Sequence, residues 1–344
     1  MTLNRPAKTS FLSAVHAAVD FCCAVLFFGA LKPGDLVVGI VLYNACAFLF
    51  QLPLGIVADR VNRNLLFAAI GCALVAVGSF LSASPLLALI VAGLGNGAFH
   101  VGGGIEVLNG SEDKAGPLGV FVSPGAIGLF LGRFYAKALP ASVLIPALMA
   151  ICVALLLISG GSERKEGSHN APVSFAVPKG GVIALVLLFL VVALRSFTGF
   201  TAAFSTDDWL SGLPGVLSGL VPVLCLALGK TAGGFLADRF GATLTSVVSL
   251  GLCAVLLFFP LHPVLTLLAL FLFNMTMPIT LFAAARLLRG AKGTAFGLLT
   301  AALFVGLVPL LLGAALPPSP VLFGSLAAAS AVLLVPGLLL CRTK

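Results

Sequence analysis

The sequence predicts an all-α polytopic membrane protein: twelve transmembrane helices arranged as two six-helix parallel pseudo-repeats. Three observations carry this. Hydrophobic residues make up 60% of the chain and charged residues only 9%, against roughly a quarter charged in soluble domains. The segments Asn64 to Ile105, Phe240 to Ala285 and Gly293 to Cys341 contain no Asp, Glu, Lys or Arg. A charged turn, Gly55-Ile56-Val57-Ala58-Asp59-Arg60-Val61-Asn62-Arg63, returns as Gly234-Phe235-Leu236-Ala237-Asp238-Arg239-Phe240-Gly241, its aspartates 179 positions apart.

A crossing takes about 20 apolar residues, so each charge-free segment holds two crossings and a minimal turn. The turns read as Ser82-Ala83-Ser84-Pro85, Pro260-Leu261-His262-Pro263 and Pro317-Pro318-Ser319-Pro320, since Pro and Ser clusters reverse the chain. In order, the crossings are expected at 11–31, 36–58, 64–82, 85–108, 117–137 and 140–160. A polar linker, 161–180, follows with Glu163-Arg164-Lys165-Glu166. The second six are expected at 181–204, 212–236, 241–260, 263–287, 293–314 and 320–341. The domains are therefore 1–160 and 181–344. The eight cysteines fall in or beside apolar runs without a CxxC pair, and read as small buried hydrophobes rather than disulfides or ligands. No cleavable signal peptide is expected, because the first apolar run contains Asp20 and lacks a small-residue cleavage site.

The net charge of +8 is not gathered into the basic stripe that a phosphate backbone needs, which excludes nucleic acid as a partner. It alternates between loops instead. One side collects Arg5, Lys8, Arg60, Arg63, Lys114, Arg164, Lys165, Lys179, Lys230, Arg239, Arg286, Arg289, Lys292, Arg342 and Lys344; the other has Lys32 and Lys137. By the positive-inside rule, both termini and the linker are cytoplasmic, in the plasma (inner) membrane. The repeat offset also pairs Pro85 with Pro263, Asn96 with Asn274 and Lys114 with Lys292, within one residue. Two six-crossing units of equal orientation are parallel repeats.

On these features the chain resembles the major facilitator superfamily over essentially its whole length. That family's turn reads Gly-x-x-x-Asp-Arg/Lys-x-Gly-Arg-Arg/Lys. Gly55, Asp59, Arg60 and Arg63 match it, with Asn62, a residue tolerated at positive φ, in place of the second Gly. The second copy matches at Gly234, Asp238, Arg239 and Gly241. The resemblance implies a secondary transporter whose halves rock about a site lined by helices one, four, seven and ten. It also implies that the turns, through Gly55, Asp59, Arg60, Arg63, Gly234, Asp238 and Arg239, gate the cytoplasmic side. Ser123-Pro124-Gly125-x-x-Gly128 loosely resembles the Gly-Pro-x-x-Gly-Gly of antiporters. Phe99-His100 is similar to the Phe-His-Pro of fosmidomycin-resistance efflux carriers, with Val101 for Pro. The first tilts the expectation slightly toward export; Val101 breaks the second pattern, which carries no weight.

Ionisable groups at bilayer depth are functional candidates in their own right, since each costs about 2.5–3.5 kcal/mol on insertion scales. Here they are His16 and Asp20, one turn apart in the first crossing; His100 and Glu106 in the fourth; Arg133 in the fifth; and Arg195 in the seventh, with the amides Asn96 in the fourth and Asn274 in the tenth beside them. Substrate binding is expected of His16, Asn96, Arg133, Arg195 and Asn274, and proton coupling of Asp20, with His100 or Glu106 as relays. Structural alternatives are that Asp20 locks helices by pairing with Arg133 or Arg195, that Arg133 snorkels to water, and that Glu106 is solvated. In the turns, each Asp should meet the positive N-terminus of a neighbouring helix, while Arg60 and Arg63 bond carbonyls.

The function expected is secondary active transport of a small organic solute by alternating access, proton-coupled and leaning to efflux. The alternative is proton-coupled uptake of an organic anion such as a carboxylate, centred on Arg195 and Arg133. No Gly-x-x-x-x-Gly-Lys-Ser/Thr occurs, which excludes a self-contained ATP-driven pump; a membrane-embedded enzyme is remote because no His-Glu-x-x-His or Gly-x-Ser-x-Gly occurs, and a non-transporting sensor because the small loops offer no partner-binding domain. No cofactor or metal is expected. The partners are the solute, protons and the lipid bilayer, and the chain is expected to be a monomer.

Overall fold

The computed structural model describes all residues except 1–3, 31–33, 35, 82, 167–171, 202–209, 211, 260–261, 315–318 and 342–344. Lys32, Arg342, Lys344 and parts of the three predicted Pro/Ser turns therefore lie outside the described residues. Among the described residues every regular element is helical. Ten helices are long and apolar enough to cross a membrane, and two more are apolar but shorter.

In chain order the helices are α1 (Arg5–Ala30), α2 (Leu36–Val61), the short α3 (Asn64–Ser79), α4 (Pro85–Gly110), α5 (Gly116–Tyr135) and α6 (Ala141–Glu166). After the linker come α7 (Gly181–Thr201), α8 (Gly215–Phe240), the short α9 (Ala242–Phe258), α10 (Pro263–Asn274, continued by Thr276–Leu287), α11 (Lys292–Leu311) and α12 (Pro320–Leu340). α1 starts six residues before its apolar run because the Asn4 side chain accepts the Ala7 N–H at 3.0 Å, an N-cap. α6 continues to Glu166, into the segment expected to be linker.

Several helices open on proline, among them α4, α10 and α12, where a missing N–H leaves nothing unpaired. Proline inside a helix acts differently. α5 breaks at Ser123-Pro124, and α10 breaks at Met275, three residues before Pro278. α2 contains a π-helical turn over Ala45–Leu49. The helices pack closely as α3 on α4, α1 on α5, α9 on α12 and α7 on α11. The first six helices meet the last six chiefly along α2–α11 and α5–α8.

Candidate functional site

The α1–α5 contact builds the site. Pro124 has no N–H, so the Val120 carbonyl four residues earlier loses its helical donor. Ser13 Oγ takes its place at 3.2 Å. One residue on, the Phe121 carbonyl accepts from His16 Nδ1 at 2.7 Å. Gly125 then leaves the room: a Cβ there would collide with the His16 ring and the Asp20 carboxylate. Gly128 and Gly132 let α5 close on the Ala17 and Phe21 carbonyls of α1. The Ser-Pro-Gly segment is thus the seat of α1.

Four side chains converge on that seat. Asn96 Nδ2 donates to Asp20 Oδ1 at 2.8 Å. His100 Nδ1 bonds the Asn96 carbonyl at 2.8 Å. His16 Nε2 stands 3.2 Å from Asp20 Oδ2, and His100 Nε2 stands 3.8 Å from Asp20 Oδ1. The two imidazoles face each other with Nε2 to Nε2 at 2.7 Å. Carbonyl oxygens only accept, so both Nδ1 atoms carry hydrogen. Two bare Nε2 lone pairs would repel at that separation. A proton shared between them would remove that repulsion, with the Asp20 carboxylate beside it as counter-charge. Phe99 and Phe121, both fully buried, flank His16 with ring centroids at 6.1 and 4.9 Å and exclude water on that side. Asp20 and His100 keep 19% and 14% of their side-chain surface exposed, so the cluster opens on their side.

Cations come from the last six helices. Arg195 on α7 is 8% exposed, and its Nη2 donates to Thr276 Oγ1 of α10 at 3.0 Å. Lys230 on α8 is half-buried, with Nζ 3.3 Å from the Val122 carbonyl. It lies within electrostatic range of both Asp20 and Arg195. Neither cation makes an ion pair with a described carboxylate. Asn274 is buried and bonds its own helix, Nδ2 to the Leu270 carbonyl at 2.8 Å.

At the end bearing the charged turns, each Asp caps a helix of the other group of six. Asp59 Oδ1 accepts from the Gly293 N–H at 2.7 Å, and Oδ2 from the Thr294 N–H and hydroxyl at 2.8 Å each. Asp238 Oδ1 and Oδ2 accept from the Ala115 and Gly116 N–H groups at 2.7 and 2.8 Å. These are the N-termini of α11 and α5, where the helix dipole favours a carboxylate. Gly55 and Gly234 permit the approach, since a Cβ on either would strike the Gly293 or Ala115 backbone. Asn62 ends α2 at φ 52 and Gly241 ends α8 at φ 89, both in the left-handed region. Arg60 and Arg63 are exposed and make no bond to a carbonyl, and Arg239 lies over the Phe240 ring at 5.3 Å. The expected arginine-to-carbonyl bonds are absent because these guanidiniums stay in solvent.

No protein-family model matches the sequence, and no curated relative does. Solved structures do. The E. coli fucose:proton symporter is similar at a TM-score of 0.60 and 12% identity, covering 99% of this chain and 100% of its own. The human organic anion transporter MFSD10 is similar at 0.68 and 15%, covering 97% and 98%. A bacterial homologue of the iron transporter ferroportin, outward-facing, is similar at 0.64 and 17%, covering 98% of each. The chain has the major facilitator fold. Within that fold α1, α4, α7 and α10 supply His16, Asp20, Asn96, His100, Arg195 and Asn274.

Two residues expected at the major facilitator site stand elsewhere. Arg133 is exposed near the end of α5, its guanidinium over the Phe28 ring at 5.2 Å. Glu106 is buried at the charged-turn end, paired with Lys8 and accepting from Asn64 Nδ2 at 3.2 Å. One residue was placed wrongly by the charge count. Lys230 is not a loop charge: it precedes the end of α8 at Phe240 by ten residues, about 15 Å of helix. Its interruption of an otherwise uncharged run in α8 was the available signal. His16, Asp20 and His100 are also the described cluster that could hold a metal, with ligand atoms within 4.8 Å of one another. The 2.7 Å between nitrogens is a proton-sharing distance, shorter than the about 3.3 Å between two nitrogens on a tetrahedral zinc.

Proposed function

We propose that the protein is a proton-coupled secondary transporter working by alternating access, with the exchangeable proton held by His16, His100 and Asp20. The observation that carries this is the pair of Nε2 atoms at 2.7 Å, with both Nδ1 atoms committed to carbonyls. Asn96 orients Asp20, and the open side of the cluster faces helices of the other half. Twelve crossings form two parallel six-helix pseudo-repeats, 1–160 and 181–344, joined by 161–180, in a monomer. Both termini lie in the cytoplasm beneath the plasma membrane.

The charged turns support a gate on that side. Each half contributes an Asp that caps a helix of the other, so both sets of bonds must break before the cytoplasmic end opens. In this arrangement the cytoplasmic end is shut, in keeping with the outward-facing state of the ferroportin homologue. Glu106, held by Lys8, belongs to this end rather than to the proton site. The enzyme and sensor readings gain no support from the neighbours named above, which are transporters.

The test is proteoliposome flux with a lumenal pH dye, against a solute library. Solute-driven proton movement that disappears in Asp20→Asn is the expected result. Solute flux with no proton movement in the native protein removes the coupling reading.

A further inference from the structure

The polar groups that α1, α4, α7 and α8 bring together carry more positive than negative charge. Arg195 is nine-tenths buried and, among the described residues, has a single hydroxyl partner. Five guanidinium N–H donors so poorly matched are costly away from water. Among the described residues Lys230 has a backbone carbonyl at 3.3 Å as its hydrogen-bond partner. The facing groups are Asp20, His16 and His100 from α1 and α4, with Asn96, Asn274, Thr276, Ser123 and Thr231 neutral. On the shared-proton reading Asp20 is matched by the imidazolium beside it, so it does not also balance the two cations.

We propose that the transported solute is a small organic dianion, its acid groups held by Arg195 and Lys230, and that it binds together with the proton rather than in exchange for it. This rests on the shared-proton reading above. With the proton in place, Asp20 and the imidazolium cancel, and two cations remain for two negative charges. Without the proton, Asp20 is a bare carboxylate within range of Lys230, which draws the ammonium away and repels the solute. Proton and dianion therefore raise each other's affinity, as linkage requires. That is the logic of a symporter; an antiporter needs a solute that competes with the proton. Arg195 supplies the planar fork for one acid group, with Thr276 fixing its orientation. Lys230 supplies a mobile point charge for the other. The antiporter-like Ser123-Pro124-Gly125 segment has its own structural task, seating α1, and carries no information on direction.

The experiment is thermal stabilisation of the purified full chain by aliphatic dicarboxylates and phosphomonoesters, with lactate and tetraethylammonium as monoanion and cation, at about pH 6 and about pH 8 where histidine changes charge. Expected is stabilisation by a dianion, stronger at the lower pH, with apparent affinity falling about 10- to 100-fold in Arg195→Gln and in Lys230→Gln. Lys230→Arg keeps the charge and retains binding, and unliganded melting temperatures near the native value separate lost binding from lost folding. Stabilisation by tetraethylammonium that strengthens at the higher pH overturns the proposal, as does no stabilisation by any dianion. Proton-coupled flux of a cation in proteoliposomes overturns it while leaving the coupling reading intact. Dianion binding insensitive to pH overturns the co-binding and the shared proton together.

Discussion

The two polar regions, one in each group of six helices, stand at positions related by one sequence offset and differ in how they are paired. The 179-residue offset carries His16 to Arg195 and Gln51 to Lys230, and an offset one shorter carries Asn96 to Asn274. In the first half these groups satisfy one another: Asp20, Asn96, His16 and His100 form a closed set of contacts between 2.7 and 3.8 Å. In the second half basic side chains stand where an imidazole and an amide stand in the first, and among the described residues they find a hydroxyl and a carbonyl. A satisfied cluster can hold a proton and release it; an underpaired one is built to wait for a ligand.

The largest effect is expected where the comparison is sharpest. Asp20→Asn removes the counter-charge of the shared proton, worth about 1.5–3 kcal/mol for a charged hydrogen bond. Proton affinity and coupled flux then fall about 10- to 100-fold, as read by the pH dependence of transport. Arg195→Gln in the other region costs solute affinity of similar size while leaving the histidine tautomers unchanged by nitrogen-labelled NMR. If both substitutions shifted the histidine signals equally, the division of labour would not hold.

Gly125→Ala tests the seat itself. The added methyl overlaps His16 and Asp20, and overpacking costs about 1–3 kcal/mol, so the melting temperature drops and the two rings move apart. The charged turns give a smaller contrast. Asp59 is 3% exposed and accepts three bonds, whereas Asp238 is exposed and accepts two. Asp59→Ala should therefore open the charged-turn end more than Asp238→Ala, measured by cysteine accessibility there; equal opening would contradict that ranking. Arg133→Ala, on an exposed side chain over Phe28, should change flux by less than about twofold, since surface substitutions stay within about 0.5 kcal/mol.

Much of this was legible from residue order. Charge-free stretches locate apolar helices because length and hydropathy are one-dimensional quantities, and the turn motif marks its own left-handed residue in Asn62. The i, i+4 spacing put His16 beside Asp20, and His100 on the same helix face as Asn96. What no spacing could supply was their meeting, because it depends on the break at Pro124 and the close approach at Gly125, Gly128 and Gly132. Lys230 was hidden by its neighbourhood: counted with Arg239 as a loop charge, it belongs a few turns deeper. Arg133 was the converse, an arginine within an apolar run whose helix turns it outward onto Phe28. Depth can be read from sequence, whereas the direction a side chain faces is fixed by the neighbouring helices.

The central claim is that proton and dianion bind as partners. Isothermal titration of the purified protein with a stabilising dianion, in buffers of different ionisation enthalpy near pH 7, counts the protons exchanged per solute. Uptake of a proton per dianion, approaching about one above the histidine range and vanishing in Asp20→Asn, is the result predicted. Release of a proton on binding would contradict it.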